Sequence, residues 1–234
     1  MGCPALSFDL HPPQIVAIGR NYLDHVKELN NAIPKEPFFF LKPTSSYLPS
    51  QTPGAKLQIP RGVLAHHEVE LGLVIGTPGR DISQENALSH IAGYILAVDM
   101  TARNVQDAAK SKGLPWSAAK GMDTFTPVGG FIPKDTVVDP HNLQLSLKVN
   151  GQMKQNGCTS DMMFKIPALI EHVSSIMSLE TGDVILTGTP SGVGPVKLGD
   201  KVSCRLEDNA TGVELAKFEF EAVERDGKYE FKGE

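Results

Sequence analysis

The chain has 234 residues, of which 41% are hydrophobic and 21% are charged, and its formal net charge at pH 7 is −5. This length suits one large domain or two small ones, and the apolar content is sufficient for a core, which excludes long disorder. The acidic balance argues against nucleic acid and anionic membrane surfaces as partners. No apolar run approaches the length of a membrane span.

The cysteines and the N-terminal residues indicate the compartment. Cys3, Cys158 and Cys204 are widely spaced and include no Cys-x-x-Cys pair, which favours a reducing environment and no zinc site. The first nineteen residues contain Asp9 and no Lys or Arg, a composition that is atypical of a transit peptide. The sequence by itself therefore predicts a cytoplasmic protein, or one that has lost a targeting segment.

Secondary structure follows from the apolar patterns. Short apolar and alternating runs predict strands at 15–18, 38–41, 69–76, 93–99, 131–132, 144–149, 184–186, 201–206 and 213–224. Helical spacing predicts helices at 21–29, with Asn21 as a possible N-cap, at 101–112 and at 164–178. Asn150 and Gly151 predict a hairpin turn, and the Pro-, Ser-, Thr- and Gly-rich residues 43–62 predict a long loop. Many short strands with few short helices favour a mostly β domain over a doubly wound sheet.

Three acidic residues interrupt the apolar strand patterns. Glu68 and Glu70 are two residues apart, so on a strand they point to the same face, and Asp99 closes the apolar run 94–98. Buried carboxylates at close range repel each other, and a divalent cation resolves this conflict. All-oxygen ligands favour Mg²⁺, Mn²⁺ or Ca²⁺ over zinc. A solvated strand face is the alternative for Glu-x-Glu, but Asp99 favours the metal site because acids are rare in buried runs.

A histidine and a carboxylate share one face of the first predicted helix. His25 and Glu28 are three residues apart, which makes them neighbours on a helix surface. A carboxylate beside an imidazole orients the ring and raises its basicity, an arrangement that suits general-base catalysis. An incidental pair on an exposed helix is the alternative.

Two further segments carry groups that suit an anionic ligand. Arg103, Gln106 and Lys120 follow Asp99, and cationic and amide groups near a metal fit an anionic chelating substrate. A structural salt bridge is an equally good explanation for Arg103, whereas Lys120 lies between small residues, as a lysine in a pocket does. The Gly-rich stretch 187–194 either brings backbone N–H groups to a carboxylate or is a plain turn, and it lacks the ending of a P-loop.

Taken in chain order, these segments resemble the motifs of the fumarylacetoacetate hydrolase superfamily. The matching pieces are Gly-Arg-Asn-Tyr-x-x-His-x-x-Glu at 19–28, Phe-Leu-Lys-Pro at 40–43, Glu-x-Glu at 68–70, Asp-x-Thr-Ala-Arg at 99–103, Lys-Gly-x-Asp at 120–123 and Gly-Asp-Val-Ile-Leu-Thr-Gly-Thr-Pro at 182–190. The likeness runs from about residue 15 to about residue 206. His25, Glu28 and the stretch 112–116 are similar to the single-domain acylpyruvase branch, which is also described as oxaloacetate decarboxylase and oxaloacetate tautomerase.

This resemblance implies a mostly β fold, a mixed roll or sandwich with few short helices, like the C-terminal domain of the family. It also implies a homodimer and a mitochondrial location, the latter in contrast to the prediction from the sequence alone. We expect an N-terminal extension at 1–14, a single catalytic domain at 15–224 and a charged C-terminal tail at 225–234.

The resemblance also implies roles for individual residues. The implied ligands of Mg²⁺, or alternatively of Mn²⁺, are Glu68, Glu70 and Asp99. The implied catalytic residues are Lys120 and, on a mobile lid, the pair His25 and Glu28. The implied substrate contacts, besides Lys120, are Arg20, Gln106 and Thr189.

The implied activity is metal-dependent chemistry on a small 2-oxoacid. Acylpyruvates would be hydrolysed to a carboxylate and pyruvate, and oxaloacetate would be decarboxylated or tautomerised between keto and enol forms. All three reactions share a metal-stabilised enolate. Two alternatives stay open: isomerisation or decarboxylation of aromatic ring-cleavage products, and a catalytically silent binding member of the superfamily.

Overall fold

The computed structural model describes residues 13–28 and 32–233, and within these ranges the fold is mostly β. The strands are β1 (Ile15–Gly19), β2 (Phe38–Lys42), β3 (Tyr47–Pro49), β4 (Lys56–Ile59), β5 (Ala65–His67), β6 (Val69–Ile75), β7 (Ile91–Val98), β8 (Thr101–Ala102), β9 (Thr126–Val128), β10 (Ile132–Pro133), β11 (Leu143–Val149), β12 (Gln152–Cys158), β13 (Val184–Leu186), β14 (Gly194–Val196), β15 (Lys201–Asp208) and β16 (Glu214–Glu224). The α-helices are α1 (Leu23–Glu28), α2 (Gln84–Ala87), α3 (Arg103–Ser111), α4 (Ser117–Lys120) and α5 (Ile166–Ile176). The predicted fold class is confirmed.

These strands form three sheets. The large sheet has the order β2-β1-β13-β6-β7-β9-β3, with β10 also paired to β7. A second sheet has the order β12-β11-β15-β16-β4, and a small sheet has the order β14-β5-β8. In the large sheet β6 and β7 are antiparallel, with Val69 opposite Val98 and Glu70 opposite Ala97. This register brings the start of β6 and the end of β7, where the acidic residues lie, to the same edge of the sheet.

The core lies between the large sheet and the second sheet. Leu71 of β6 and Leu145 of β11 are fully buried and belong to one apolar cluster, to which α5 adds Ile170. Gly72 of β6 allows β7 to approach, because a Cβ at this glycine would lie 2.6 Å from Cγ1 of Ile95. No helix in the described ranges has the length and apolar character needed to span a membrane.

The predicted hairpin is confirmed. Asn150 and Gly151 join β11 to β12 and have φ angles of 51° and 79°. A tight type I′ turn requires positive φ at both central residues, and the Asn-Gly pair supplies it at low cost. The strand β12 that follows has the polar sequence QMKQNGC, which carries no apolar alternation, so the sequence analysis missed it.

The prediction of a long loop at 43–62 is wrong. This range contains β3 and β4, which pair in parallel with β9 and β16. The two strands have only three and four residues, and their partners are distant in sequence. A strand of this length shows no periodicity of its own and forms because a neighbouring strand offers its hydrogen bonds.

The segment before α1 is fixed by a buried side chain, and here the predicted N-cap is wrong. The carboxamide of Asn21 does not cap the helix; it donates to the carbonyl oxygens of Phe164 and Thr187 at 3.0 and 2.9 Å. It also accepts from the N–H of Phe164 at 2.8 Å. Asn21 is fully buried, so these bonds hold the start of α1 against the rest of the chain.

Some predictions fall outside the described ranges. The predicted end of the first helix, Leu29, is one of them, as is most of the N-terminal extension at 1–14. The division of the chain at residues 14 and 224 stays a prediction.

We expect Asn21→Ala to lower the free energy of unfolding by about 3 kcal/mol, because it leaves two carbonyls and one N–H buried without partners. Urea denaturation measures this change. Asn86→Ala is the matched control, since Asn86 is exposed and its side chain donates to the hydroxyl of the exposed Ser83; its effect should stay within about 0.5 kcal/mol. Equal losses in both variants would contradict the anchoring role of Asn21.

Candidate active site

Three carboxylates converge at the edge of the large sheet where β6 begins and β7 ends. Glu70 is the second residue of β6, Asp99 follows β7, and Glu68 lies in the one-residue break between β5 and β6. The alternation argument placed Glu68 within a strand, which is wrong, but the backbone N–H of Asp99 donates to the Glu68 carbonyl at 2.8 Å and joins the two segments. One oxygen from each carboxylate lies within 4.8 Å of the others. Glu68 is 7% exposed, and Glu70 and Asp99 are each 1% exposed.

Buried cations neutralise two of the three acids. Nζ of Lys120 donates to Glu68 at 3.1 Å and to Asp99 at 2.5 Å, and Arg103 Nη2 donates to Glu68 at 2.6 Å. Burial by itself would raise the pKa of Glu68, but Lys120 and Arg103 hold this pKa well below its ordinary value. Burial would lower the pKa of Lys120, but Asp99 and Glu68 raise it. Glu68 is therefore ionised and Lys120 is charged.

A second buried lysine, Lys42, belongs to the site and was not predicted. Its Nζ donates to Asp99 Oδ1 at 2.6 Å and to the carbonyl oxygens of Phe125 and Met100 at 2.9 and 3.3 Å. Burial lowers the pKa of Lys42, although Asp99 opposes this effect. A signal was present, because Lys42 closes the apolar run 38–41 in the same way that Asp99 closes its own run.

Glu70 has no ion-pair partner in the part of the chain that the structure describes. Within the described ranges, the hydrogen bond to its carboxylate comes from the backbone N–H of Gly188, at 2.7 Å. Burial, Asp99 and Glu68 together raise the pKa of Glu70 well above its ordinary value. A divalent cation beside this buried acid would favour its ionised form, and the three oxygen donors suit a hard ion such as Mg²⁺ or Mn²⁺.

His25 faces the same space from α1. Its Nδ1 lies 3.6 Å from Glu28 Oε2, just beyond hydrogen-bond distance, and is a buried atom without a hydrogen-bond partner in the described part of the chain. The backbone N–H of Gly192 donates to both oxygens of Glu28 at 3.1 Å. Burial lowers the pKa of His25, so the ring is neutral at pH 7 and can accept a proton.

A small cavity collects these groups. Its volume is about 40 Å³, on a scale where one water needs about 10–15 Å³, so it admits a small ligand. Every predicted site residue lines it except Glu28, which lies behind His25. The predicted residues in its wall are Arg20, His25, Glu68, Glu70, Asp99, Gln106, Lys120 and Thr189.

Two predicted substrate contacts are already bonded within the protein. Gln106 Oε1 accepts from Arg103 at 2.6 Å, which leaves its NH₂ group for a ligand. The Thr189 hydroxyl donates to the Val69 carbonyl at 2.8 Å and accepts from Gln155 Nε2 at 2.7 Å. A bond from this hydroxyl to a substrate would therefore have to replace an existing one. Of the two alternatives for Arg103, the salt bridge is present, with Glu68, and Arg103 also lines the cavity.

Gln155 is a further residue that the sequence did not reveal. This fully buried side chain from β12 also donates to the Pro190 carbonyl at 2.9 Å and accepts from the N–H of Val69 at 3.1 Å. Its Oε1 lies 2.8 Å from Nδ1 of His67. Gln155 therefore connects the second sheet both to the β5–β6 segment, which carries Glu68 and Glu70, and to the Gly-rich loop 187–194. The sequence analysis missed it because β12 is polar and matches no motif.

The family follows from comparison with known proteins. A model of the fumarylacetoacetate (FAA) hydrolase C-terminal region matches residues 14–216. The chain belongs to the fumarylacetoacetate hydrolase family. The predicted family is thus confirmed.

Curated relatives of this family member cover most of its length. The "Oxaloacetate decarboxylase, mitochondrial" of Dictyostelium discoideum is 56% identical over 193 residues, 82% of this chain and 88% of the relative. The "Oxaloacetate tautomerase FAHD1, mitochondrial" of Arabidopsis thaliana is 54% identical over 209 residues, 89% of this chain and 91% of the relative. This similarity identifies the chain as an enzyme.

Solved structures of the family share the fold. A fumarylacetoacetate hydrolase family protein of yeast has a TM-score of 0.84 at 40% identity, and the match covers 94% of this chain and 96% of the other. The fumarylpyruvate hydrolase of Pseudomonas aeruginosa, solved with Mn²⁺ and pyruvate, has a TM-score of 0.81 at 30% identity, with 90% and 89% of the two chains covered. That neighbour and the buried acids support a divalent metal site.

We expect Glu70→Gln to weaken Mn²⁺ binding by more than about a hundredfold, since loss of groups that merely support metal ligands costs about 10–100-fold. Calorimetric titration measures the affinity. The fold should tolerate the change, because a neutral amide replaces an acid whose pKa is raised. Glu85→Gln, at an exposed position in α2, is the control and should bind Mn²⁺ as the unmodified protein does. Unchanged binding by the Glu70 variant would contradict its role as a ligand.

Proposed function

We propose that this enzyme acts on oxaloacetate, interconverting its keto and enol forms and releasing CO₂ from it, with a divalent cation held by Glu68, Glu70 and Asp99. One observation carries this proposal. A neutral, buried His25 faces the same cavity as the three carboxylates and the charged Lys120. A base and an enolate-stabilising cation are thus placed around one small ligand. The names of the curated relatives agree with this chemistry.

The residues divide the reaction between them. When bound, Mg²⁺ or Mn²⁺ supplies Lewis-acid polarisation of a 2-oxoacid. His25 Nδ1 is directed at Glu28, so Nε2 is the nitrogen left to take a proton from C3 of the substrate. The Glu28 carboxylate then stabilises the imidazolium, and the ammonium of Lys120 stabilises negative charge on the enolate oxygen.

Two outcomes use the same groups. In tautomerisation, return of the proton to the oxygen gives the enol of oxaloacetate, and return to C3 gives back the keto form. Decarboxylation starts instead from the keto form, before any proton is taken from C3: the C3–C4 bond breaks, CO₂ leaves, and the bonding electron pair forms the enolate of pyruvate. A proton from solvent, relayed by His25, then adds to C3 and yields pyruvate.

Hydrolysis of acylpyruvates is the second candidate. A specific observation favours it, because the fumarylpyruvate hydrolase of Pseudomonas aeruginosa shares the fold and was solved with Mn²⁺ and pyruvate. His25, assisted by Glu28, would activate a water to attack the distal carbonyl and release a carboxylate and pyruvate. The small volume of the cavity, about 40 Å³, disfavours the larger aromatic ring-cleavage products as substrates.

We also propose a mitochondrial homodimer. The compartment rests on the names of the curated relatives, and the dimer rests on family resemblance. Cell fractionation tests the first and light scattering tests the second, where the mass of a monomer would contradict the dimer.

The function is tested by following ultraviolet absorbance of enol-oxaloacetate and of acetylpyruvate with the purified protein, in Mg²⁺ and in excess EDTA. We expect fast, Mg²⁺-dependent equilibration of the oxaloacetate enol, with pyruvate and CO₂ as slower products identified by NMR. Turnover of acetylpyruvate to acetate and pyruvate, with oxaloacetate unaffected, would favour the hydrolase instead. Oxaloacetate turnover that persists in EDTA would contradict the metal-dependent mechanism.

We expect His25→Ala to lower kcat/KM for oxaloacetate by about 10²–10⁴-fold, the usual contribution of a general base, while Mn²⁺ affinity is kept. The pH profile is the second measurement. Because burial lowers the pKa of His25 from 6.5, kcat/KM should rise with pH to a plateau, with a midpoint below 6.5. This acid limb should be absent from the variant. His172→Ala, at a partly buried position in α5, is the control and should keep the limb.

A further inference from the structure

One wall of the cavity is built from aromatic rings that hold cations. The Trp116 ring lies edge-on to the Phe38 ring, with centroids 5.9 Å apart, and 5.7 Å from the Phe40 ring. Nζ of Lys120 lies 4.8 Å from the centroid of Phe40, within cation–π distance. Lys120 forms ion pairs with the carboxylates of Glu68 and Asp99, which balance its positive charge.

Two further cations on this wall, Arg20 and Lys110, have no ion-pair partner among the described residues. Cζ of Arg20 lies 5.4 Å from the Phe38 centroid, and Nζ of Lys110 lies 5.4 Å from the Trp116 centroid. Both residues line the cavity. Among the residues that the structure describes, neither forms an ion pair, whereas the other cations at the cavity are bonded to Glu68 or Asp99.

The fold directs Arg20 at the cavity. Its φ angle is 57°, a left-handed conformation that non-glycine residues rarely adopt. The residue stands between β1 and the buried Asn21, which fix the backbone on either side. A strained backbone that places a cation beside a cavity is typical of a functional site.

The cations around the cavity repel one another. Burial lowers the pKa of Lys110, and Arg103 and Arg20 lower it further, although Asp107 opposes them. An anion between Lys110 and Arg20 would relieve this repulsion and accept hydrogen bonds from both.

We propose that Lys110 and Arg20 form a subsite for the second carboxylate of a four-carbon 2-oxodicarboxylate, and that Lys110 makes the enzyme prefer dicarboxylic to monocarboxylic acids. This inference rests on the proposed function, in which the 2-oxoacid end of the substrate lies against Glu68, Glu70 and Asp99. Simple acylpyruvates such as acetylpyruvate carry one carboxylate, so the subsite separates oxaloacetate from them.

The test compares binding of two acids that cannot enolise. Malate and 2-hydroxybutanoate both have four carbons and a 2-hydroxy acid end, and they differ by a carboxylate in place of a methyl group. Calorimetric titration in Mg²⁺ gives the ratio of their Kd values for the full-length protein. We expect malate to bind more tightly, and Lys110→Met to reduce this preference by about tenfold, as loss of a hydrogen bond between charged groups does.

Two variants complete the design. Lys110→Arg keeps the charge and should keep most of the preference. Lys148→Met removes one positive charge from an exposed position on β11 and should leave the ratio unchanged, which separates a local contact from a change in net charge.

The outcomes separate the subsite from the proposed function. Equal binding of both acids by the unmodified protein, or an equal loss for both acids in Lys110→Met, overturns the subsite even if oxaloacetate is turned over. A preference for malate that depends on Lys110 supports the subsite even without turnover, and absence of turnover then overturns the proposed function alone.

Discussion

Burial of three carboxylates within 4.8 Å of one another is the constraint on which the site depends. Acids at this distance repel, and removal from water makes the repulsion stronger. The register of β6 against β7 leaves the chain no way to separate Glu70 from Asp99. The protein compensates with Lys120, Lys42 and Arg103, which neutralise Glu68 and Asp99 and leave Glu70 for a cation from solution.

Hydrogen bonds from outside the large sheet maintain this arrangement. Gln155 uses both its carbonyl oxygen and its NH₂ group, and its partners belong to β5, β6 and the Gly-rich loop after β13. Backbone N–H groups of the same loop bond to two site carboxylates, from Gly188 to Glu70 and from Gly192 to Glu28. The loop therefore positions the carboxylates of Glu70 and Glu28 together. Its glycines allow this, since Gly188 and Gly192 have φ angles of 96° and 95°.

The cavity has three sides with different chemistry. Glu68, Glu70 and Asp99 form the side that suits a divalent metal, and His25 forms the side where we propose the base. The aromatic wall forms the third side, where Arg20 and Lys110 lie over the rings of Phe38 and Trp116 and have no ion pair among the described residues. Each side comes from a different part of the chain, so residues of the aromatic wall can be changed without touching the three carboxylates.

The sequence by itself determined the features that depend on neighbouring residues, and the order of its motifs indicated the family. Asn150 and Gly151 defined their hairpin because a two-residue turn needs only its own backbone angles. The acids, His25 with Glu28, and Lys120 were visible as polar residues inside apolar patterns, and their order along the chain indicated the family. The mostly β class followed from many short apolar runs.

The tertiary structure alone decided which distant groups meet. It placed Glu68 in a break between strands, sent the Asn21 side chain to Phe164 instead of to the helix, and formed β3 and β4 against strands far away in sequence. Lys42, Gln155 and the pairing of Lys110 with Trp116 became functional candidates only when the sheets were assembled. The physical reason is that a buried polar group is defined by its partners, and those partners lie on segments that approach each other only in the folded chain.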